Sequence, residues 1–348
     1  MIFLLLILCP SSIFSELITP SKSAHFMSDE YIQDLNSRHS SWKAGRNFDA
    51  DTSVADIQML LGDLDPKNLR TSDAPDLKTE DPAWPLDDQI PDTFDARSKW
   101  GKNCPSIGEI LDQGHCGSCW AVSSSSAAND RHCIASGGKV KHHFSAHNVA
   151  FCCHKCGDGC DGGYTALAWE FYQRHGLVSG GGFNSSEGCQ PYLIQPCIHY
   201  PNQPSNLPNC SALPEEAYSC TTKCTNKDYK TPLRKDKKRN KSSYIIKGEK
   251  EIQKDILAYG PLAQSFEVFD DFLHYKSGVY QKSANAVFRG RHAVRVIGWG
   301  TENNLPYWLI ANSWNTYWGD KGYFKIKRGS NHCKIEDNGT GGVPRRYK

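Results

Sequence analysis

One short stretch of this 348-residue chain holds the residue types that acyl transfer requires. Residues 113–120 read QGHCGSCW. A cysteine thiolate can attack a carbonyl carbon, and amide donors can stabilise the oxyanion that forms. Cys119 is the candidate nucleophile. The side chain of Gln113 and the backbone N–H of Cys119 are the candidate donors to the oxyanion.

A thiol nucleophile needs a base and a group that orients this base, and candidates for both lie far along the chain. His292 opens the apolar run 292–300, and Asn312 lies within the run 307–314. Both runs are typical of buried strands. The imidazole would take the thiol proton and later deliver it to the leaving amine, while Asn312 would fix its tautomer. Trp314 would shield the contact from water.

The pair Cys116-x-x-Cys119 has two other interpretations, a redox dithiol or half of a zinc site. A redox pair requires a thioredoxin-like βαβ unit, which the sequence does not suggest. A metal-binding module is a further alternative, because cysteines and a histidine cluster in 152–164. An oxidising compartment favours disulfides over zinc. We therefore expect no metal and no cofactor.

The run CGSCW at 116–120 matches the local signature of the papain and cathepsin cysteine peptidases in full. From about residue 28 to its end, the chain resembles the cathepsin B-like members of this family, with the strongest motifs at 94–120, 152–164, 189–210 and 292–324. The resemblance implies an α+β fold with two lobes. The helical lobe would contain a central helix that begins at Cys119, and an antiparallel sheet lobe would carry His292.

Composition and the N-terminal residues indicate the compartment. The chain has 15 cysteines and a net charge of +2, which favours an oxidising compartment and does not indicate nucleic acid as a partner. Residues 1–15 are typical of a signal peptide, although they lack a basic residue. No later stretch is long and apolar enough to span a membrane. We expect a soluble monomer without a membrane partner that is lysosomal or secreted.

Residues 16–89 differ from the rest because they contain no cysteine and many acidic residues. The stretch SWKAGRNF at 41–48 resembles an element of the family's pro-segment. We expect 16–89 to be an inhibitory pro-segment that lies across the cleft, and a small independent domain is the alternative. The peptidase domain would then span 90–348, with a region like the family's occluding loop at about 189–224.

The resemblance also implies the residues that bind substrate. Gly162 and Gly163 would pair with an extended peptide, and His199 would bind the C-terminal carboxylate of a substrate. The family's second histidine is Tyr200 here, so we expect weakened dipeptidyl carboxypeptidase activity. The S2 pocket, which receives the second side chain before the cleaved bond, would be lined by Tyr164, Thr165, Ser265, Ala293 and Asn338.

Asn338 stands where the family carries an acid at the base of this pocket. We therefore expect hydrophobic P2 residues to be preferred over arginine. Arg291 precedes the catalytic histidine, where the family usually has glycine. We expect its charge to lower the pKa values of His292 and Cys119. Four sequences fit Asn-x-Ser/Thr, at Asn184, Asn209, Asn240 and Asn338.

Spacing alone does not decide the disulfide pairing. The resemblance implies that Cys119 and Cys333 are free thiols. It implies six disulfides: Cys104–Cys133, Cys116–Cys160, Cys152–Cys220, Cys153–Cys156, Cys189–Cys224 and Cys197–Cys210.

Taken together, these features predict a cysteine endopeptidase that is made as a secreted zymogen and cleaves peptides and proteins. Cystatin-like inhibitors could bind the same cleft. The alternative is a cathepsin B-like fold with little activity that serves as a binding protein. Its support lies in the altered subsites, because the catalytic residue types are all present.

Overall fold

The computed structural model describes residues 25–69, 75, 77, 84–201, 203, 206–213 and 218–345. The signal peptide predicted at 1–15 lies outside these residues. Within the described chain, no helix is long and apolar enough to cross a membrane. The helices are α1 (Asp29–Arg38), α2 (Val54–Gln58), α3 (Ala96–Trp100), α4 (Cys119–Ala135), α5 (Ala146–Cys152), α6 (Thr165–His175), α7 (Leu233–Asp236) and α8 (Glu249–Tyr259).

Helix α4 lies at the centre and is buried on every side from Cys119 to Cys133. Small side chains at 121–128 let other elements pack closely around it. The helix contacts α5 and α6 on one side and strands of the sheet on the other. The family resemblance implied a central helix of this kind, and the two-lobed α+β fold is confirmed.

Two charged residues near the end of α4 are buried, and each has a partner of opposite charge. Asp130 accepts a hydrogen bond from Arg295 at 2.7 Å and another from Ser106 at 2.7 Å. The next residue, Arg131, forms an ion pair with Asp255. A buried charge is tolerated only when partners replace its hydration. These pairs therefore fix α4 against the elements on both sides.

The strands of the described chain are β1 (Trp42–Ala44), β2 (Phe94–Asp95), β3 (Asn240–Ile246), β4 (Leu262–Phe269), β5 (Tyr275–Tyr280), β6 (Phe288–Glu302), β7 (Leu305–Ala311), β8 (Tyr323–Lys327) and β9 (Gly339–Pro344). They form one sheet in the order β1-β5-β8-β7-β6-β4-β9-β3, with β2 pairing beside β6. All pairs are antiparallel except β5 with β8, which is parallel. The predicted antiparallel sheet is therefore correct apart from this one pair.

The N-terminal segment docks on the sheet lobe and adds strand β1 to its edge. Trp42 pairs with Gly278 of β5 and is buried. Asn47 donates to the backbone carbonyls of Leu273 and Tyr275 at 2.9 and 2.8 Å. These contacts hold the start of the segment on the sheet lobe. Residues 57–64 then continue from α2 toward the cleft between the lobes.

Six disulfide bonds join the cysteine pairs that the resemblance implied, and Cys119 and Cys333 are free thiols. All six bonds lie between residues 104 and 224, within or beside the helical lobe and the loop 189–224. This lobe has less regular structure than the sheet lobe, so the bonds restrict loops that hydrogen-bond ladders do not hold.

The four sequons differ in exposure. Asn184 and Asn209 are exposed, and Asn338 is half-buried. Asn240 is buried, and its Nδ2 donates to Ser243 Oγ at 3.2 Å. A glycan on Asn240 would require this amide to leave the core, so the folded protein does not offer it as an acceptor.

We predict that Asp130→Ala lowers the free energy of unfolding by about 3–5 kcal/mol, because it leaves Arg295 buried without its counter-charge. The control is Asp34→Ala, which removes an exposed partner of Arg38 and should cost about 0.2–1 kcal/mol. Guanidinium unfolding of the zymogen with its disulfides intact measures both values. Equal losses in the two variants would contradict the role assigned to Asp130.

Candidate active site

Cys119 is the first residue of α4, so its thiol lies at the helix N-terminus between the two lobes. The thiol is completely buried, and the backbone N–H of Ala293 donates to its Sγ at 3.5 Å. Ala293 directly follows His292 on β6. The contact therefore brings the strand with the predicted base against the end of the helix with the predicted nucleophile.

The sequence-predicted base and its orienting group meet at the hairpin of β6 and β7. His292 Nε2 donates to Asn312 Oδ1 at 2.7 Å, and this carbonyl oxygen also accepts the Ser313 N–H at 2.8 Å. The bond fixes the tautomer, since Nε2 must carry the proton. Nδ1 is buried without a hydrogen-bond partner. It is the nitrogen left to accept a proton, and the tilted Trp314 ring packs against the imidazole at 4.6 Å between centroids.

The side chain of Gln113 is fixed at both ends. Its Oε1 accepts from Ser313 Oγ at 2.6 Å, while Nε2 donates to the Cys116 carbonyl at 2.7 Å. Nε2 also donates to the carbonyl of Leu60 at 3.1 Å. A peptide carbonyl from the N-terminal segment therefore occupies the donor that was predicted to bind an oxyanion.

Residues 60–64 run through the cleft against Gly163. The Gly163 N–H donates to the carbonyl of Gly62 at 2.9 Å, and the N–H of Leu64 donates to the Gly163 carbonyl at 3.0 Å. Gly62 has no room for a side chain, because an added Cβ would lie 1.6 Å from the carbonyl oxygen of Gly117. The segment thus covers the nucleophile with bare backbone.

Covering the cleft affects the protonation of Cys119 and His292. Burial raises the pKa of the Cys119 thiol to about 12, and the Asp63 carboxylate contributes to the rise. Burial lowers the pKa of His292 to about 4, against a smaller effect of its bond to Asn312. Both groups are therefore neutral here. The thiolate that a helix N-terminus favours requires a cleft that is open to water.

The sequence-predicted S2 residues come from both lobes. Tyr164 and Thr165 lie at the start of α6, beside Gly162 and Gly163. Ser265 of β4 pairs with Ala293 of β6. The Ser265 N–H donates to the carbonyl of Asn338 at 3.5 Å.

The acids that precede Asn338 point away from this pocket. Glu336 accepts from the Trp308 indole at 3.0 Å and from two backbone N–H groups. Asp337 lies 3.6 Å from Lys247.

Arg291 is buried and pairs with the N-terminal segment. Its Nε donates to Asp63 Oδ2 at 3.3 Å, and the other oxygen of this carboxylate accepts from Ser265 Oγ at 2.9 Å. Burial raises the pKa of Asp63 to about 6, and the Arg291 charge opposes the rise. Burial, and not the Arg291 charge, dominates the shifts in the pKa values of His292 and Cys119.

The loop 189–224 places His199 against a second histidine. His199 stacks on His115 at 5.4 Å between centroids. Asp112 accepts from the Gly114 N–H at 2.8 Å and from Asn315 Nδ2 at 3.1 Å. An amide and a backbone N–H therefore satisfy this carboxylate.

Tyr200, the neighbour of His199, is buried. Its hydroxyl donates to the Trp314 carbonyl at 2.9 Å, and its ring packs on Phe48 of the N-terminal segment.

His115, His199 and Cys210 have side-chain nitrogen or sulfur atoms within 4.8 Å of one another. Cys210 is bonded to Cys197 and offers no thiolate. Two imidazoles remain, fewer than a structural zinc site uses.

Sequence reasoning missed three residues with a place in this site: Asp63, Ser313 and His115. Ser313 follows Asn312 directly, and a hydroxyl beside the orienting amide was a usable signal. His115 lies inside the signature stretch, but nothing in its spacing indicates a partner 84 positions away. Asp63 pairs with Arg291 across 228 positions, and spacing gives no sign of that contact either.

Comparison with known proteins agrees with this geometry. The description "Papain family cysteine protease" matches residues 90–343, and "Peptidase family C1 propeptide" matches residues 27–66. The chain is 41% identical over 320 residues to Cathepsin B-like cysteine proteinase 4 of Caenorhabditis elegans, covering 91% of each. It is also 41% identical over 325 residues to Cathepsin B-like cysteine proteinase of Schistosoma japonicum, again covering 91% of each.

A solved structure shares the whole architecture. ProCathepsin B S9 from Trypanosoma congolense is similar with a TM-score of 0.74 at 33% identity. The similarity covers 93% of this chain and 100% of that one.

We predict that Gly62→Ala exposes the thiol of the unprocessed protein. The added methyl group would overlap the Gly117 carbonyl, and such overpacking costs about 1–3 kcal/mol, so the segment should lift from the cleft. Alkylation of Cys119 by a thiol-reactive epoxide at pH 7 should accelerate roughly tenfold. Gln58→Ala, an exposed change in the same segment, is the control. Identical rates for both variants would show that residue 62 does not restrict access.

Proposed function

The chain belongs to the papain family of cysteine proteases, and from this premise we propose that Cys119 and His292 hydrolyse peptide bonds by acyl transfer. One observation carries the proposal. Gln113 Nε2 donates to a peptide carbonyl, that of Leu60, beside the buried thiol. A substrate carbonyl in the same position would have one oxyanion donor in place, and the Cys119 backbone N–H would supply a second.

The proposed reaction begins when the pro-segment leaves and water enters the cleft. His292 Nδ1 takes the thiol proton, and the thiolate attacks the substrate's carbonyl carbon. The C–O π bond opens to an oxyanion beside Gln113, then re-forms as the C–N bond breaks, and His292 protonates the departing amine. Water, deprotonated by His292, then hydrolyses the thioester. Asn312 keeps the imidazole in the required tautomer throughout.

We further propose that residues 16–89 form the inhibitory pro-segment and 90–348 the peptidase domain. The docking of β1 on the sheet and of residues 60–64 in the cleft supports this division. Six disulfides support folding in the secretory pathway, after removal of 1–15 as a signal peptide, and a lysosomal or secreted location. The enzyme would act as a monomer on peptides and proteins, and cystatin-like inhibitors would compete for the cleft.

Titration with a thiol-alkylating epoxide tests the function. The acid-activated enzyme should take up one equivalent at Cys119 and lose all hydrolysis of a quenched peptide, and Cys119→Ser should do neither. Asn312→Ala should lower kcat, because the imidazole loses its tautomer and orientation. A folded, processed protein that neither reacts nor hydrolyses peptides would favour the alternative of a cathepsin B-like binding protein.

His274 supports a role of acid in releasing the pro-segment. Its Nε2 donates to the Phe26 carbonyl at 2.6 Å, and its Nδ1 is buried without a partner. Burial lowers its pKa to about 4, although the hydrogen bond to Phe26 opposes this shift. The buried ring is therefore favoured in its neutral form. This contribution to docking is complete above the ordinary pKa of about 6.5 and is lost as the pH falls toward 4.

We predict that His274→Gln makes release of the pro-segment less sensitive to acid. Glutamine can still donate to Phe26 but cannot gain a charge. The rate at which an epoxide labels Cys119 in the zymogen should therefore rise at a lower pH than in the unmodified protein. His154→Gln, a change at an exposed histidine, should leave the profile in place.

Asp63 has the opposite effect on docking of the segment. Its pKa is raised in the cleft, so acid favours its buried form and strengthens docking. The unmodified protein and His274→Gln both contain Asp63, so the difference between their pH profiles is due to His274. A pH profile that His274→Gln leaves unchanged would contradict the proposal.

We also propose that dipeptidyl carboxypeptidase activity is weakened. The Tyr200 hydroxyl is bonded to the Trp314 carbonyl, so it offers no charge and no free donor to a substrate carboxylate. The stacked rings of His199 and His115 would carry the activity that remains. Ordinary endopeptidase cleavage does not depend on these residues.

The prediction uses a quenched peptide with a free C-terminal carboxylate and the same peptide as its amide. Tyr200→His should raise the ratio of kcat/KM for acid over amide by roughly fivefold, because a charge-assisted bond is about twice as strong as a neutral one. Tyr200→Phe is the matched control and should not raise it. A strong preference for the free acid in the unmodified enzyme would overturn the proposal.

A further inference from the structure

The cleft contains a carboxylate that belongs to the pro-segment and not to the peptidase. Asp63 is almost completely buried there, with a side chain 2% exposed. Its backbone lies against Gly163, the residue whose N–H and C=O pair with the passing segment. Its side chain enters the pocket that contains Ser265 and Arg291. Asp63 therefore shows which side chain this pocket accepts.

Strand geometry explains why Arg291 faces this pocket. Successive side chains of a strand point to opposite faces, so residues 291 and 293 share a face and His292 lies on the other. Ser265 pairs with Ala293, and Glu267 pairs with Arg291 two residues further along β4. The pocket wall formed by β4 and β6 thus contains Ser265, Ala293 and Arg291.

Arg291 is the charged group of the pocket wall that faces the interior, because the neighbouring acids bind partners elsewhere. Glu267 is in an ion pair with Lys334. Glu336 and Asp337 bind groups outside the pocket, and Asn338 at its base is neutral. Among the described residues, the ion pair made by the Arg291 guanidinium is the one with Asp63.

Arg291 also has a hydrogen-bond donor without a partner. Its Nε binds Asp63, while Nη2 is buried without a hydrogen-bond partner, in a side chain that is 7% exposed. A guanidinium has only donors, arranged as a fork that matches the two oxygens of a carboxylate. The unpaired Nη2 is therefore a second position for the oxygen of an acidic side chain, and an amide NH2 there would meet another donor.

We propose that Arg291 makes this pocket selective for acidic residues, glutamate or aspartate, at the substrate position whose backbone pairs with Gly163. The inference rests on the proposed peptidase function and names its substrate class. Asp63 is the pro-segment's substitute for that residue. Arginine at the same position places two guanidinium groups together without a carboxylate between them, so it is rejected.

The test uses blocked reporter peptides X-Arg with X as Glu, Gln, Leu or Arg, cleaved by the activated enzyme. The assay is run at pH 7, where the free carboxylate of the Glu reporter is ionised. The expected kcat/KM for Glu exceeds those for Gln and Leu several-fold and that for Arg by at least about tenfold. In Arg291→Gln the ratio of Glu to Gln falls to about one, because the charge-assisted bond is lost.

The ratio is compared within each enzyme, so a change in catalysis caused by residue 291 cancels. Arg289→Gln is the control, because Arg289 lies on the same strand but pairs with Asp270 outside the pocket. A Glu to Gln ratio that is at or below one in the unmodified enzyme, or equal in the Arg291→Gln and Arg289→Gln variants, overturns the inference.

A second measurement does not need the Arg291 variant to fold. The zymogen with Asp63→Arg, which places two guanidinium groups together, should release the cleft more readily than the zymogen with the neutral change Asp63→Leu, with faster epoxide labelling of Cys119 at pH 7. Equal or slower labelling in Asp63→Arg overturns the inference. If none of the four reporters is cleaved and the thiol does not react, the proposed function itself fails. If the reporters are cleaved without a preference for Glu, only the proposed substrate specificity fails.

Discussion

The fold depends on burying a helix that has no solvent-facing side. Because α4 carries Asp130 and Arg131 into the interior, the elements around it must supply opposite charges in fixed positions. Asp130 pairs with Arg295, which follows His292 by three residues on β6. The ion pair thus holds the strand in one position along the helix. Since Cys119 begins that helix, the same constraint sets where the imidazole lies relative to the thiol.

The pro-segment acts through the groups that would bind substrate. It takes the side-chain donor of Gln113, the backbone of Gly163 and the pocket beside Arg291. It also removes water, and burial favours the neutral forms of both the thiol and the imidazole. Inhibition is therefore double: the cleft is occupied, and the ion pair that would attack a carbonyl is not formed. Both effects end together when water returns, because desolvation is their common cause.

The sequence predicted the features that depend on local pattern and on motif. The signature at 116–120 and the strand-like runs around His292 and Asn312 led to residues that the fold brings together. The disulfide pairs came from resemblance, since spacing leaves many pairings open. What the sequence did not predict are contacts between distant segments, such as Asp63 with Arg291 and His115 with His199. No period or spacing encodes such contacts, and they arise only when the lobes and the pro-segment pack.

Arg291 illustrates how adjacency along a chain can mislead. Its position next to His292 indicated an effect on the imidazole, but neighbours on a strand point to opposite faces. The guanidinium therefore lies on the face of Ala293, in the pocket that Asp63 enters.

This arrangement joins self-recognition to substrate recognition. A change at residue 291 that altered the pocket's preference would also weaken the pro-segment, unless residue 63 changed with it. Gly62 cannot accommodate a side chain, and the Leu60 carbonyl is generic backbone, so neither can distinguish one pocket from another. Asp63 is thus the pro-segment residue whose fit depends on the specificity of the pocket. The type of residue at position 63 therefore indicates which substrate side chain the pocket binds.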